Sequence, residues 1–355
     1  MKTNVFVSVI LIAVLCTFPK VCIDGAAQGI NICLNSVIPS LFPFFVASKM
    51  FIMSGGAAFF GKKTGGFMRI FGLNKKCAAP FVLGLISGYP VGAKAACDLY
   101  KANEISKDEA QGILSFCNNC GPCFLIGTVG AKMIGNVKTG YILYIIHIIS
   151  AVSVGILFKH TVKNSTRTAK PYKTECKKAL RSKSIFTDAV EESVKTILNV
   201  CGYIVFFSVV TSLLKCVCES FTALGFFEIT TAISDLCTLG NCSVKIKIVI
   251  ISYLCGWAGL CVNMQTKKII DGADLSFKKY LFAKLCHSAF GFFYSFLYVT
   301  LFPSYIPAFV SDSRRNTFFE YANIMFLICI VIFLLYVLKK RKNTVKRAFC
   351  NKTVK

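Results

Sequence analysis

The sequence predicts an all-α polytopic membrane protein built from two inverted repeats, each carrying a re-entrant helical hairpin. Three observations point there. The chain of 355 residues is 55% hydrophobic, with 33 Phe and a mean hydropathy of +0.63, more apolar surface than a soluble domain could hide. One apolar run, Ala78 to Ile86, stops at Gly88-Tyr89-Pro90-Val91-Gly92, about half-way to the roughly 20 residues that cross a bilayer. Landmarks of the first half then recur in the second.

The interrupted stretch runs from Cys77 to Cys123. Pro90 lacks an amide donor and clashes with a preceding helical turn, while Gly88 and Gly92 accept backbone angles that other residues resist. A tight reversal follows, with a short helical return from Gly92 to Tyr100. The next segment, Glu109 to Val129, carries Asn118, Asn119, Gly121 and Pro122 at its middle and is expected to unwind there. Irregular backbone within hydrocarbon survives only where it is buried in protein or lines a wet cavity, because each unpaired polar group costs several kcal/mol. The hairpin tip, Ser87 to Pro90, therefore predicts a cavity near mid-membrane. Half-helices meeting there are the binding-site design of many secondary transporters.

Taken in order, Val5 to Phe18 is a 14-residue apolar run before Pro19. It reads as a retained first transmembrane helix (residues 1–24) rather than a signal peptide, since the small-residue triplet Gly25-Ala26-Ala27 lies well beyond it. The first repeat (25–158) continues with a span over Val37 to Met53, bent at Pro39 and Pro43. Gly61 to Lys76 is a basic amphipathic piece suited to a membrane surface. The hairpin, its broken partner and a span over Tyr141 to Phe158 complete the repeat. The linker (159–185) has nine Lys or Arg against Glu175 within Lys159 to Lys183. By the positive-inside rule it is cytoplasmic, and the first hairpin opens to the same side.

In the second repeat (186–303), Ser208 echoes Ser48 at an offset of 160, Gly256 echoes Gly88 at 168, and Asp274-Leu275-Ser276 echoes Glu104-Ile105-Ser106 at 170. Order and spacing together indicate an internal duplication. The echo at Gly256 predicts a second hairpin, entering over Ile248 to Leu254, turning at Gly256 to Gly259 and returning over Cys261 to Ile270. A span over Tyr280 to Phe302 follows. Residues 304–355 hold a last span, Phe318 to Leu338, and a tail with eight Lys or Arg. Three crossings between the hairpins invert the second copy, as alternating access requires. Three crossings after the linker put the tail outside, against its charge, so its side stays open.

The net charge of +25 sits between apolar segments and at the C-terminus, as topology rather than nucleic-acid binding would place it. The expected partners are the lipid bilayer and a small-molecule solute, with no nucleic acid; the oligomeric state stays open. The 19 Cys lie mostly in apolar segments and read as reduced thiols. Cys117, Cys120 and Cys123 form a C-x-x-C-x-x-C run, but no fourth ligand or soluble βαβ setting accompanies an iron–sulfur or thioredoxin-like site. No phosphate-binding G-x-x-x-x-G-K-[ST] loop occurs. The expectation is a non-enzyme without cofactor or metal.

The candidate residues carry binding chemistry. Amides at Gly92 and Ala93, opening a half-helix, would face an anion, with Lys94 adding a full charge. Asn118 and Asn119, and from the second copy Asn263 and Gln265, can donate and accept. Gly256 and Gly259 would form the second tip. Lys284 and His287, about one turn apart, are ionisable residues inside a span and candidates on that ground. His147 and His160 read as an ordinary helix residue and a linker residue.

The runs Ile38-Pro39-Ser40-Leu41-Phe42-Pro43-Phe44, Ser87 to Lys94, Ser115 to Pro122 and Gly256-Trp257-Ala258-Gly259-Leu260 resemble the sporulation integral membrane proteins of the YlbJ type, in the wider group with nucleoside-recognition, or Gate, domains. The resemblance implies an architecture like concentrative nucleoside transporters, with paired hairpins against broken helices. It also implies a role in sporulation, at a cell or forespore membrane, with dipicolinate among the solutes suggested. Cys117 and Cys120 stand where that pattern has Thr and Ser, and Asn263-Met264-Gln265 where it has a His-Ala-Gln-like run, so the solute stays open between anionic and nucleoside-like. A scaffold for a spore-associated complex and, more remotely, a redox membrane enzyme are the alternatives.

Overall fold

The computed structural model describes residues 2–56, 59, 66–159, 184–217, 220–240 and 242–302. Among these residues every regular element is a helix. Helices α1 (Lys2–Thr17) and α2 (Pro19–Ile32) meet at about 101°. Pro19, at the first position of α2, gives up no hydrogen bond there and fixes the entry angle. Helix α2 is not expected from hydropathy because Lys20, Asp24 and Gln28 interrupt it. Its buried side is a strip of small residues, Cys22, Gly25 and Gly29, which lets backbones approach closely. A five-residue π-wound turn, Cys33–Val37, carries the chain into α3 (Ile38–Met53), with Pro43 in its interior. Of the basic amphipathic piece only 66–76 is described, and there Met68 and Phe71 turn inward.

The first hairpin is α4 (Ala78–Ser87) and α5 (Val91–Lys101). It reverses through Gly88, at φ +84°, and a cis Tyr89–Pro90 bond. Then α6 (Lys107–Leu114) starts on a reciprocal cap, Ser106 Oγ accepting from Glu109 N and Glu109 Oε2 from Ser106 N. Regular helix is lost after Leu114 and resumes as the π-wound α7 (Cys123–Ile134), so the segment unwinds where the two asparagines predicted. Helix α8 (Val137–Phe158) returns antiparallel along it, with Gly140 against Gly130 and Gly155 against Phe116.

After the linker, α9 (Ile185–Lys215) runs antiparallel to α2 and α3, with Ser212 facing Gly25 and Glu192 reaching Lys49. The second hairpin is not at Gly256. It is formed by α10 (Phe221–Phe227) and α11 (Ile229–Thr238), turning at Glu228. Helices α12 (Val244–Trp257) and α13 (Gly259–Asp271) instead form one 28-residue span, interrupted at Ala258 and Gly259, where φ is +69° and +71°. The contacts to α14 (Phe277–Leu301) establish that course. Gly256 lies on Ser288 and Gly291 on Ser252, while farther on Thr266 reaches Tyr280 and Lys267 covers Phe277. A returning α13 would run the other way. The offset at Gly256 thus matched a hairpin turn to a helix interruption, since both use glycine.

Helix α14 has 25 residues, about 38 Å at 1.5 Å per residue, enough for the roughly 30 Å hydrocarbon layer. Val137–Phe158, Ile185–Lys215 and Val244–Asp271 are each long and apolar enough to cross. Their outward faces carry Ile145, Ile149, Leu198, Phe206 and, on α14, Phe293 and Phe296, while His147, Ser150, Ser193, Ser208, Ser252 and His287 turn inward. That is the pattern of a chain whose outer solvent is lipid.

The open ends of the two hairpins lie at opposite ends of the helical body. The open end of the first shares an apolar cluster with Phe158, Ala273 and Leu275, on the face where the linker begins. Lys107 pairs with Asp274 at 2.6 Å, and Gln111 bonds Ser276, on that face. The open end of the second lies opposite, where Lys247 donates to the carbonyls of Cys237 and Leu239 and Lys215 pairs with Asp235. The expected last span, the tail and linker residues 160–183, with His160, lie outside the described residues.

Candidate functional site

Both tips meet the interruption of the neighbouring span. At the first, a Cβ on Gly88 would lie 3.0 Å from Gly121 N. At the second, Trp257 Nε1 donates to Phe226 O at 2.9 Å, its ring stacks on Phe226, and Gly259 abuts the Phe227 carbonyl. Between these meeting points lies a cavity of about 110 Å³. Ser87, Gly88 and Tyr89 come to it from the first tip, Glu228 and Thr230 from the second, Cys120 and Gly121 from one interruption, and Cys261 and Gln265 from just past the other. Ile32, Leu41, Val200 and Ile204 of the long helices close the far side. Apolar walls with a few convergent polar groups are what small-solute sites look like.

Glu228 is the acid in that lining, and no Lys, Arg or His accompanies it. It is 3% exposed, and its carboxylate accepts from Thr230 N at 2.9 Å and Thr231 N at 2.7 Å. The two bonds cap the N-terminus of α11. Sequence reasoning missed Glu228. The available signal was an acid inside the otherwise apolar run from Phe221 to Ile233, a warning in any intramembrane segment.

Behind the cavity lies a second polar region. Asn118 Nδ2 donates to Thr266 Oγ1 at 3.1 Å and Tyr280 Oη at 2.7 Å, joining the interruption to α13 and α14. Lys284 Nζ donates to Asn118 O at 3.1 Å and lies 3.5 Å from His287 Nδ1. His287 Nε2 faces His147 O at 3.2 Å, and Cys120 N donates to His147 Nε2 at 2.9 Å. His147 is thus part of the network rather than an ordinary helix residue. Tyr89 Oη bonds Cys120 Sγ at 2.9 Å, which ties the network to the first tip.

The other candidates divide. Asn119 Nδ2 donates to Phe116 O and Asn263 Nδ2 to Trp257 O, so both amides cap main chain at the interruptions. Gln265 borders the cavity while bonding Cys261 Sγ. Pro90 and Lys94 line two other clefts, one of about 210 Å³ that also takes in Gln265 and Asp98, and the Lys94 ammonium pairs with Asp98 at 2.9 Å and Glu192 at 3.6 Å. Gly92 is pressed on the Cys117 carbonyl and Ala93 is buried. The anion site expected at Gly92, Ala93 and Lys94 therefore does not open on the cavity: carboxylates of this chain hold the lysine. Gly256 contributes packing on Ser288 and Gly259 packing on the second tip. Cys117 and Cys120 are buried and Cys123 is exposed.

Interrupted helices around an internal cavity, in a body whose long helices are apolar on the outside, define a helical integral membrane protein. A family model described as Gate, nucleoside recognition, matches residues 34–137, which takes in α3, the first hairpin and its interrupted partner. Sporulation integral membrane protein YlbJ of Bacillus subtilis (strain 168) is 30% identical over 319 residues, 79% of this chain and 78% of that protein. The chain belongs to the YlbJ family of integral membrane proteins. No solved structure matches it.

Proposed function

We propose that this chain is a transporter or facilitator of a small solute across a membrane of the sporulating cell, and not an enzyme. The observation that carries the reading is the cavity at which two hairpin tips and two helix interruptions converge. Its volume, about 110 Å³, is of the order of the roughly 150 Å³ cavity that admits benzene, so a single-ring solute suits it. Entry of the hairpins from opposite faces supports an inverted-repeat architecture like that of concentrative nucleoside transporters. The matching elements are then α3 with α9, α4 and α5 with α10 and α11, α6 and α7 with α12 and α13, and α8 with α14. With the linker in the cytoplasm, α9, α12 with α13, and α14 carry the chain to the far side.

Glu228 shapes the choice of solute. A nucleoside-like ring offers it donors; an anion such as dipicolinate must arrive protonated or with a cation. Relationship to the Bacillus protein named for sporulation supports placing the chain in a forespore membrane. The test is uptake of labelled nucleosides and dipicolinate into proteoliposomes, for wild type and Glu228→Gln. Uptake above protein-free vesicles is expected. Glu228→Gln should reduce neutral-donor uptake about tenfold, the equivalent of one charge-assisted hydrogen bond, and should improve uptake of an anion. Folded protein that moves none of these solutes would overturn the reading.

A further inference from the structure

Lys284 places its amino group in the middle of the helical body with no acid beside it. It is 1% exposed, and among the described residues it makes no ion pair. Its ammonium is aimed at the main-chain carbonyl of Asn118, in the interruption that follows α6. The negative end of the α6 dipole points the same way, and the side-chain oxygens of Asn118 and Asn119 at this interruption have no donor. The site is rich in acceptors, with the Lys284 nitrogen as the donor at its centre.

The neighbours of Lys284 do not compensate it. His147 Nε2 accepts from Cys120 N, which leaves its proton on Nδ1. His287 Nε2 faces a carbonyl and must donate, which leaves Nδ1 bare toward Lys284. Both rings are then neutral. The other groups near the ammonium are the thiols of Cys117, Cys120 and Cys255 and, through Asn118, the Tyr280 hydroxyl. Unwound carbonyls and half-helix C-terminal ends are where secondary transporters hold a coupling cation. A free sodium ion at this carbonyl would meet a resident ammonium within 3.1 Å.

We propose that Lys284 is a tethered cation occupying the coupling-ion position of this interruption, so that the chain moves its solute without sodium. The second interruption is served likewise by a tethered donor, the Asn263 amide on Trp257 O. The proposal rests on the transporter reading for its consequence, but not for its site. Two measurements keep them apart.

The first follows thermal unfolding of the full-length protein in detergent, in sodium chloride against choline chloride at equal ionic strength. Wild type should show no sodium-specific shift. Lys284→Ala should unfold earlier and regain about 2–4 °C with sodium or n-propylammonium, which refill the vacated position. A sodium-specific rise in wild type, or a folded Lys284→Ala indifferent to both cations, would overturn the tether. The second measures wild-type solute flux in proteoliposomes, and so does not depend on a variant that folds. Equal flux with sodium and with choline supports the proposal; a tenfold fall without sodium defeats it. Absence of any flux counts against the transporter reading, and the thermal measurement then decides the tether alone.

Discussion

Gly84 and Gly92 face each other across the first hairpin with the carbonyl of Cys117 lodged against both. A Cβ on Gly84 would stand 1.7 Å from that oxygen and one on Gly92 1.9 Å. Helix, return helix and interruption are thus in backbone contact, and the hairpin is held by close approach more than by side chains. Gly92→Ala should lower the unfolding temperature in detergent by an amount corresponding to about 1–3 kcal/mol, the usual cost of overpacking. Gly202→Ala, where nothing lies within 4 Å, should leave it unchanged or raise it, because alanine is the better helix former.

The first tip is tied to α3 by Ser48 and Ser87, whose hydroxyls are 3.4 Å apart. In a background with reactive cysteines replaced, Ser48→Cys with Ser87→Cys should form a disulfide on mild oxidation. If tip movement accompanies solute passage, the oxidised protein should lose uptake and regain it with reductant. A crosslinked protein with full uptake would mean that this tip stays in place.

Asn118 bridges the first interruption to two other helices through Thr266 and Tyr280. Asn118→Ala should destabilise the protein by about 1–3 kcal/mol, since it removes two buried hydrogen bonds and leaves Thr266 and Tyr280 only their remaining contacts to Val262 and to each other. Tyr280→Phe removes a single hydroxyl and should cost less. Chemical denaturation in mixed micelles would rank the two, and the reverse order would place the weight on the tyrosine ring.

The course of α12 and α13 can be checked at Gly256, where a Cβ would meet Ser288 Cα at 2.5 Å. Gly256→Ala should therefore spread α12 from α14 and lower thermal stability. An exposed hairpin turn would tolerate the same change. An unaffected Gly256→Ala protein would favour a reversal at that point.

Much of the first half was legible in the chain. The short run ending at Gly88 to Gly92 could only turn back, and Asn118 to Pro122 could only interrupt a helix, because both rest on backbone chemistry that acts locally. The second half misled at Gly256. Glycine serves a reversal in the first half of the chain and close helix packing in the second, and nothing local distinguishes them. The real second tip, at Glu228, lies in short helices of seven and ten residues, too brief to carry a periodic signal.

The sequence by itself determined a membrane-embedded, all-helical chain, a hairpin at Gly88 to Pro90, an interruption at Asn118 to Pro122 and a polar interior with Lys284 and His287. Composition and backbone restriction act residue by residue, so they can be read without coordinates. Only the tertiary structure decided that Lys94 is neutralised by Asp98 and Glu192, that Glu228 reaches the cavity, and that Lys284 caps Asn118 across a separation of 166 residues. Those are meetings between distant segments, fixed by which helices run antiparallel and at what register, and a pairing of that kind leaves no mark in the neighbourhood of either residue.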